Sequence, residues 1–247
     1  FIQRVILKEN KLLKCLIKEK QINVVISDSR FGLHNNKIHS VFITHQLTIQ
    51  SPVLKKLANK INLRHLKMFH EIWVPDYESP LQRLSGELSS FSNLNVKFIN
   101  PKSLLADYNS LHKTQHVDYL ILLSGVEPQR KVLEKLLLNY FENTAFKVVL
   151  VRGTDTPIDF HPKNIEVFNI IHGQELAQLI LNSTNIICRS GYSTLMDIHT
   201  LGKNNLTLVP TPGQTEQEYL AKYWEMKFNA KVVLQTELKN NWTKLLD

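Results

Sequence analysis

Short apolar runs rich in Val and Ile recur along the whole 247-residue chain. They occupy residues 22–28, 40–44, 71–76, 95–100, 118–125, 146–153, 165–171, 185–191, 205–211 and 230–235. Most are continuously apolar, which is typical of strands buried on both faces of a parallel sheet. Segments of helical period lie between many of them, at 52–69, 128–143, 173–183, 192–202 and 215–227. This alternation predicts an α/β fold with parallel sheets and helices on both faces.

The strand–helix pattern weakens between Tyr77 and His116, where Ser-rich turns and two prolines interrupt it. We expect a linker near 101–117, and therefore two domains, 1–102 and 103–247. The chain starts at Phe1 with FIQRVILKENKLLK, a segment typical of the interior of a helix or helical hairpin. We expect the natural chain to extend upstream, which would leave the first domain N-terminally incomplete.

The net charge of +8 and the pI of about 9.4 favour anionic partners, such as phosphorylated ligands or anionic lipid. The sequence carries no signature of a nucleic-acid-binding module, so nucleic acid is not expected.

Cys15 and Cys188 lie far apart in apolar segments, which favours two buried free thiols. We expect no metal, no cofactor and a cytoplasmic location. No signal peptide and no apolar run of ~20 residues is visible.

Polar residues gather where the predicted strands end, and ligands of open parallel sheets bind at that edge. Ser124 and Gly125 end one strand, and a helix opens near Pro128. The free N–H groups of such a helix start can bind a diphosphate, with Arg130 as an additional charge. An ordinary strand–turn–helix connection would have the same sequence.

A second strand runs into a turn of small and polar residues. They are Arg189, Ser190, Gly191, Ser193 and Thr194. Gly191 would let a phosphate approach the backbone, and the hydroxyl groups can donate to phosphate oxygens. Asp197 follows Ser193 by one helical turn, from which a carboxylate can reach a ribose diol. In the alternative interpretation, Ser193 or Thr194 caps the helix and Asp197 is a solvated first-turn acid.

The third loop, PTPGQTEQEYLAKYW, is fixed by two prolines and a glycine. Gln214, Glu216 and Gln217 crowd the start of the following helix. Amide and carboxylate groups pair well with the vicinal hydroxyls of a sugar. A solvated, Glu-rich helix start is the alternative.

Together, RSGYSTLMDIHTLGKNNLTLVPTPGQTEQEYLA is similar to the C-terminal donor domain of family 28 glycosyltransferases. The resemblance covers 118–225 and is closest to a branch that carries the motifs SGxEPQR, RSGYST and PTPGQTEQEYLA. Upstream, VISDSRFGLHNNKIHSVFITHQL resembles the same branch. The resemblance implies a GT-B fold, in which two Rossmann-like domains with parallel sheets face each other across a cleft. The C-terminal domain of such enzymes holds a nucleotide-sugar, usually a UDP-sugar.

The resemblance also implies roles for individual residues. It assigns the diphosphate to Ser124, Gly125, Ser190, Gly191, Ser193 and Thr194, and the sugar hydroxyls to Glu216 and Gln217. Arg152 and Gly153 would flank the base. Asp197 stands where the family usually has a ribose-binding Glu, and is one methylene shorter. Such enzymes invert the anomeric carbon without a metal, because helix dipoles and backbone amides stabilise the leaving diphosphate.

The acceptor side is expected in the first domain. His45 and Gln46 end one strand, and His45 is a candidate base or acceptor-orienting group. Asp28 and Arg30 end the preceding strand. An Asp–Arg ion pair with a structural His is the alternative. The family's Gly-rich loop, with the main catalytic base, is expected upstream of Phe1.

The helix predicted at 52–69 is basic and amphipathic. Its apolar side contains Leu54, Leu57, Ala58, Ile61 and Leu66, and Lys or Arg residues line the rest. Such a helix can lie on an anionic membrane surface. Alternatively, the apolar side packs on the first sheet and the basic side is solvated.

The sequence thus predicts an inverting glycosyltransferase. It would transfer a sugar from a UDP-sugar, with UDP-GlcNAc as a candidate donor, to an unknown acceptor, for which a lipid-linked molecule is a candidate because the relatives use lipid-linked acceptors. The expected location is cytoplasmic, at the inner face of the membrane. Two alternatives stay open, namely a nucleotide-sugar hydrolase or epimerase of the same fold, and a non-catalytic nucleotide-sugar-binding module.

Overall fold

The computed structural model describes residues 2–51, 53–91, 94–157 and 164–239. The chain divides into two compact units, Phe1–Lys102 and Ser103–Asp247. Each unit contains one sheet, and every strand pair in both sheets is parallel. The predicted α/β fold with parallel sheets is therefore confirmed. Within the described residues, no helix has both the length and the apolar character needed to cross a membrane.

The first unit has a four-stranded sheet in the order β1-β2-β3-β4. Its elements are α1 (Ile2–Lys20), β1 (Val24–Asp28), β2 (His39–Ile43), α2 (Lys55–Leu66), β3 (Glu71–Val74), a 3₁₀ helix (Gly86–Ser89) and β4 (Val96–Phe98). The core of this unit is aromatic and aliphatic, with Phe42, Leu66, Phe69 and Ile72 packed together. This packing accounts for the apolar runs that the sequence placed on β2 and β3.

The second unit has a six-stranded sheet in the order β10-β9-β8-β5-β6-β7. Its strands are β5 (Val117–Leu122), β6 (Val148–Val151), β7 (Ile165–Phe168), β8 (Ser183–Cys188), β9 (Leu206–Leu208) and β10 (Lys231–Val232). Its helices are α3 (Gln129–Phe141), α4 (Gly173–Asn182), α5 (Tyr192–Thr200) and α6 (Thr215–Phe228), with 3₁₀ helices at Ala106–Tyr108 and Glu237–Lys239. The carboxyl-terminal halves of the central strands β5 and β8 are apolar and buried, as is typical of parallel strands that are covered on both faces of a sheet.

The strand order of the second unit is that of a Rossmann sheet. The chain runs from β5 outwards through β6 to β7, then crosses to β8 on the other side of β5 and continues outwards. The order therefore reverses between β5 and β8. In open parallel sheets a ligand binds outside the carboxyl ends of the strands at this reversal. The turns at 123–125 and 189–191 follow these two strands.

Helix α2 packs through a different face from the one that the apolar pattern indicated. Leu54, Leu57 and Ile61 are 68%, 50% and 51% exposed. The buried face contains Asn62 and Leu66, and the Asn62 amide donates to the Leu47 carbonyl at 2.9 Å. The alternative in which the apolar side packs on the sheet is therefore wrong for the three exposed residues, although Leu66 is buried as that alternative requires. Amide hydrogen bonds between the helix and the 46–49 loop hold it in this orientation. Pro52, in the predicted segment, lies outside the described residues.

Candidate functional site

A cavity of about 320 Å³ lies at the carboxyl ends of β5, β6 and β7, beside α4 and α5. Its apolar walls are Leu122, Leu123, Val151, Ile170, Ile171, Leu176, Ile180 and Ile198, and its polar or small lining residues are Ser124, Gly153, His172, Thr194 and Asp197. An apolar cavity with a few convergent polar groups is the usual form of a small-molecule site.

The structure brings four of the predicted donor-site residues to this cavity, namely Ser124, Gly153, Thr194 and Asp197. The sequence interpretation missed Ile170, Ile171 and His172, which line the same cavity. Their sequence positions could have indicated them, because they follow β7 at the edge of the sheet where ligands bind.

Helix α5 begins beside the cavity, and its first backbone N–H groups have no capping side chain. Its N-cap residue is Gly191, and no side chain caps the helix. The alternative in which Ser193 or Thr194 caps α5 is therefore not what the structure shows. Uncapped N–H groups together with the helix dipole form a site for an anion.

Gly191 leaves this helix start accessible. Its φ of −75° suits any residue, and a Cβ added there would meet no protein atom within 4 Å. The fold does not require glycine at this position, and the missing side chain leaves the backbone at the start of α5 accessible to a ligand. Gly125 also has open space around it, but its φ of +99° favours glycine by itself.

Arg189 does not reach the cavity as a ligand-binding group. Its side chain is 0% exposed. Its guanidinium donates to the carbonyls of Val209 at 3.0 Å, Pro210 at 3.2 Å and Gln129 at 2.8 Å, and to the Gln235 Oε1 atom at 2.6 Å. Burial lowers the pKa of Arg189 to about 10, so the group stays charged at neutral pH. We therefore assign Arg189 to the framework of the site.

Ser190 and Gln217 join the turn after β8 to the loop before α6. The buried Ser190 hydroxyl donates to the Gln217 carbonyl at 2.7 Å. The Gln217 amide accepts from the Thr211 N–H at 2.9 Å and donates to Gln214 Oε1 at 2.6 Å. The structure thus brings Gln214 and Gln217 together, with Glu216 half-buried beside them. Ser190 is buried by these contacts, which leaves its hydroxyl occupied.

Arg130 and Arg152 belong to a buried ion-pair network behind the site. Each is 3% exposed, and both pair with Glu134, which is 5% exposed. Arg152 also donates to Asn169 Oδ1 at 2.7 Å. Because Asn169 directly precedes the cavity-lining Ile170, this network holds the end of β7 in place. Neither Arg130 nor Arg152 lines the cavity, and both guanidinium groups bond to protein groups. The predicted contacts of Arg130 with a diphosphate and of Arg152 with a base stay predictions.

Asp197 is the acidic residue of the cavity. Its Oδ1 atom accepts from the Ser103 hydroxyl at 2.6 Å. Burial raises the pKa of the Asp197 carboxyl above its usual value, and the hydrogen bond from Ser103 acts in the opposite direction. A carboxylate in this position can accept hydrogen bonds from a diol.

The predicted acceptor-side residues lie in the first unit, at the end of β1 or in the turns after β1 and β2. Arg30 pairs with Glu9 at 2.6 Å, so the alternative in which Arg30 pairs with Asp28 is wrong. Asp28 is exposed and accepts a hydrogen bond from Ser29, while the Gln46 N–H donates to Thr44. His45 is half-buried directly after β2. The roles of these residues toward an acceptor stay predictions.

A metal site is not evident in the part of the chain that the structure describes. No group of three or more His, Cys, Asp or Glu residues is suitably placed there to hold an ion.

The comparisons with known proteins agree with this architecture. Residues 105–246 match the glycosyltransferase family 28 C-terminal domain. The chain superposes on MurG of Acinetobacter baumannii with a TM-score of 0.59 at 14% identity, covering 98% of this chain and 70% of MurG. The glycosyltransferase of kitacinnamycin gives a TM-score of 0.63 at 12% identity, covering 95% of this chain and 69% of that one.

The same fold is found in a protein that was solved with UDP. Staphylococcus aureus MnaA in complex with UDP superposes with a TM-score of 0.58 at 11% identity, covering 94% of this chain and 75% of MnaA. A search of curated proteins found no match. At these identities the structural likeness shows the fold, and the family match shows the family.

We expect Arg189→Met to lower the free energy of unfolding by about 3 kcal/mol or more. The substitution would leave the carbonyls of Val209, Pro210 and Gln129 without their donor inside the protein. Urea denaturation followed by circular dichroism would measure the loss. Arg4→Met, at an exposed position of α1, is the matched control. Equal denaturation midpoints for both variants would contradict the framework role of Arg189.

Proposed function

Because this chain belongs to glycosyltransferase family 28 and has the GT-B fold, we propose that it transfers a sugar from a UDP-sugar to an acceptor with inversion at the anomeric carbon. UDP-GlcNAc is the first candidate donor. The observation that carries the proposal is the cavity lined by Thr194 and Asp197 of α5, the helix whose uncapped N-terminus opens at Gly191.

The proposed donor pose follows from the chemistry of the cavity. The base lies in the apolar part, against Gly153, Ile170 and Ile171, and the ribose diol meets Asp197. The diphosphate lies at the start of α5, and the sugar extends toward the loop that contains Gln214, Glu216 and Gln217. The UDP bound in the MnaA structure supports uridine as the nucleoside, because that protein shares the fold.

The proposed reaction develops negative charge on the departing diphosphate. The uncapped N–H groups of α5 can donate to it, and the dipole of the helix favours an anion at that end. The buried charge of Arg189, two residues before Gly191, adds positive potential near the same place. These groups support a mechanism in which the protein itself, without a metal, stabilises the leaving group. In this proposal His45 of the first unit orients or deprotonates the acceptor.

We expect Gly191→Ala to weaken UDP binding at least tenfold while stability changes by less than about 1 kcal/mol. The added methyl group meets no protein atom within 4 Å, but it occupies the space through which a diphosphate approaches the α5 N-terminus. Calorimetric titration with UDP gives the affinity, and thermal unfolding controls for the fold. A variant that binds UDP as tightly as the unchanged protein would rule out this diphosphate position.

Turnover separates the transferase from the alternatives on the same fold. We expect the chain to leave UDP-GlcNAc intact when no acceptor is present, because transfer requires an acceptor hydroxyl. Chromatography of the reaction, with mass spectrometry of the products, would show the outcome. Rapid stoichiometric release of free sugar would indicate a hydrolase, and an epimerised UDP-sugar would indicate an epimerase. Either result would overturn the transferase proposal.

Helix α2 presents a surface suited to an anionic membrane, here called the α2 surface. It comprises the exposed apolar residues Val53, Leu54, Leu57 and Ile61 and the exposed basic residues Lys55, Lys56, Lys60, Arg64 and Lys67. The sequence has no Asp or Glu between 53 and 70. Apolar side chains can enter the headgroup region while the basic side chains meet anionic lipid. We propose that this surface holds the protein at the cytoplasmic face of the membrane, where a lipid-linked acceptor is accessible.

We expect a Leu57→Gln/Ile61→Gln variant to bind anionic vesicles at least tenfold more weakly than the unchanged protein. The two side chains would no longer contribute apolar burial in the headgroup region. Sedimentation with vesicles of phosphatidylglycerol and phosphatidylcholine measures the binding, and pure phosphatidylcholine vesicles test the need for charge. Leu81→Gln, at a 78% exposed position elsewhere in the first unit, is the control. Equal binding by both variants would exclude the α2 surface.

A further inference from the structure

The Ser103 hydroxyl is held in one orientation by a backbone N–H of the turn that follows it. Its Oγ atom accepts a hydrogen bond from the Leu105 N–H at 3.0 Å and donates to Asp197 Oδ1 at 2.6 Å. A serine hydroxyl has one proton, so acceptance from the backbone directs that proton toward the carboxylate. Leu105 is 3% exposed and anchors the turn in the core of the second unit. The orientation of the Ser103 hydroxyl is therefore set without a ligand.

The carboxylate of Asp197 is shared between Ser103 and the cavity. One oxygen accepts from Ser103, and Asp197 lines the cavity. Burial raises the pKa of this carboxyl, and the Ser103 hydrogen bond favours the ionised form. A side chain with two rotatable bonds would otherwise sample several orientations, so a fixed partner on one oxygen orients the other.

We propose that Ser103 is a positioning residue for nucleotide recognition, which orients the Asp197 carboxylate so that its other oxygen accepts hydrogen bonds from the ribose diol. This inference rests on the proposed function, because it requires a nucleoside in the cavity. Ser103 lies 94 residues before Asp197 in the sequence and would act through Asp197, without touching the ligand.

The test compares UDP with 2′,3′-dideoxy-UDP, which lacks the diol. For the unchanged chain we expect UDP to bind more tightly, and Asp197→Asn to remove most of this preference. Ser103→Ala should weaken UDP binding about 3- to 10-fold while binding of the dideoxy compound stays nearly constant. Ser103→Thr keeps a hydroxyl and should restore the preference. Ser110→Ala, at an exposed position in the same segment, is the matched control.

The pH dependence gives a second readout that a purely structural role would not change. Binding through an Asp197 carboxylate is retained above the pKa of that group and is lost as the pH falls through it. Removal of the Ser103 hydrogen bond takes away a contact that lowers this pKa. The pH midpoint of UDP binding should therefore be higher in Ser103→Ala than in the unchanged chain. The titration of the diphosphate is common to both proteins and cancels in the ratio of their affinities.

The outcomes separate this inference from the proposed function. If UDP binds and Asp197→Asn weakens it, but Ser103→Ala retains the diol preference and the pH midpoint, the role of Ser103 is overturned and the donor site stands. If calorimetry detects no binding of UDP to the unchanged chain, the proposed donor site fails and this inference fails with it. Thermal unfolding of each variant shows whether the fold is retained, and Ser103→Thr provides the test if Ser103→Ala does not fold.

Discussion

The guanidinium of Arg189 ties together three parts of the second unit that are far apart in sequence. It donates to Gln129 at the start of α3, to Val209 and Pro210 after β9, and to Gln235 after β10. A planar group with five donors can satisfy several carbonyls at once, which a lysine at this position could not do in the same geometry. Ser190 and Gly191 follow directly, so the turn at the start of α5 takes its position from this buried charge.

Buried charged residues and the residues beside the cavity have different roles at this edge of the sheet. Arg130, Arg152 and Arg189 are buried and bonded to protein groups, and they fix the loops. Gly191 has open space where a side chain would lie, and Asp197 lines the cavity. A buried ion pair adds little net stability by itself, but removal of one partner is costly. Because any rearrangement that breaks these buried contacts costs free energy, the loops stay in one arrangement. Recognition of a diphosphate and a diol requires such fixed loops.

Much of the fold could be predicted because it depends on local patterns. Strand β6 is continuously apolar, and β5 and β8 end in apolar runs, a pattern that indicates buried parallel strands directly in the sequence. The cavity positions of Thr194 and Asp197 follow from where a strand ends and a helix starts. The Ser103–Asp197 contact could not be predicted in this way, because it joins residues 94 positions apart. Likewise, the sequence shows that Arg152 is charged, but burial against Glu134 is decided by tertiary packing.

The face that α2 buries shows the same limit. The apolar pattern of the helix favoured burial of Leu57 and Ile61. In the structure Asn62 is buried instead, and its amide donates to the carbonyl of Leu47. Buried backbone groups need partners, and this requirement can outweigh the burial of two aliphatic side chains. The exposed aliphatic residues are then available for contact with another surface.

A crystal structure of the chain with UDP tests the central claim most directly. The account predicts the base against Ile170 and Ile171, the ribose hydroxyls within hydrogen-bond distance of Asp197, and the diphosphate at the N-terminus of α5 beside Gly191. UDP bound elsewhere on the chain, or an empty cavity in crystals grown at a saturating UDP concentration, would contradict it.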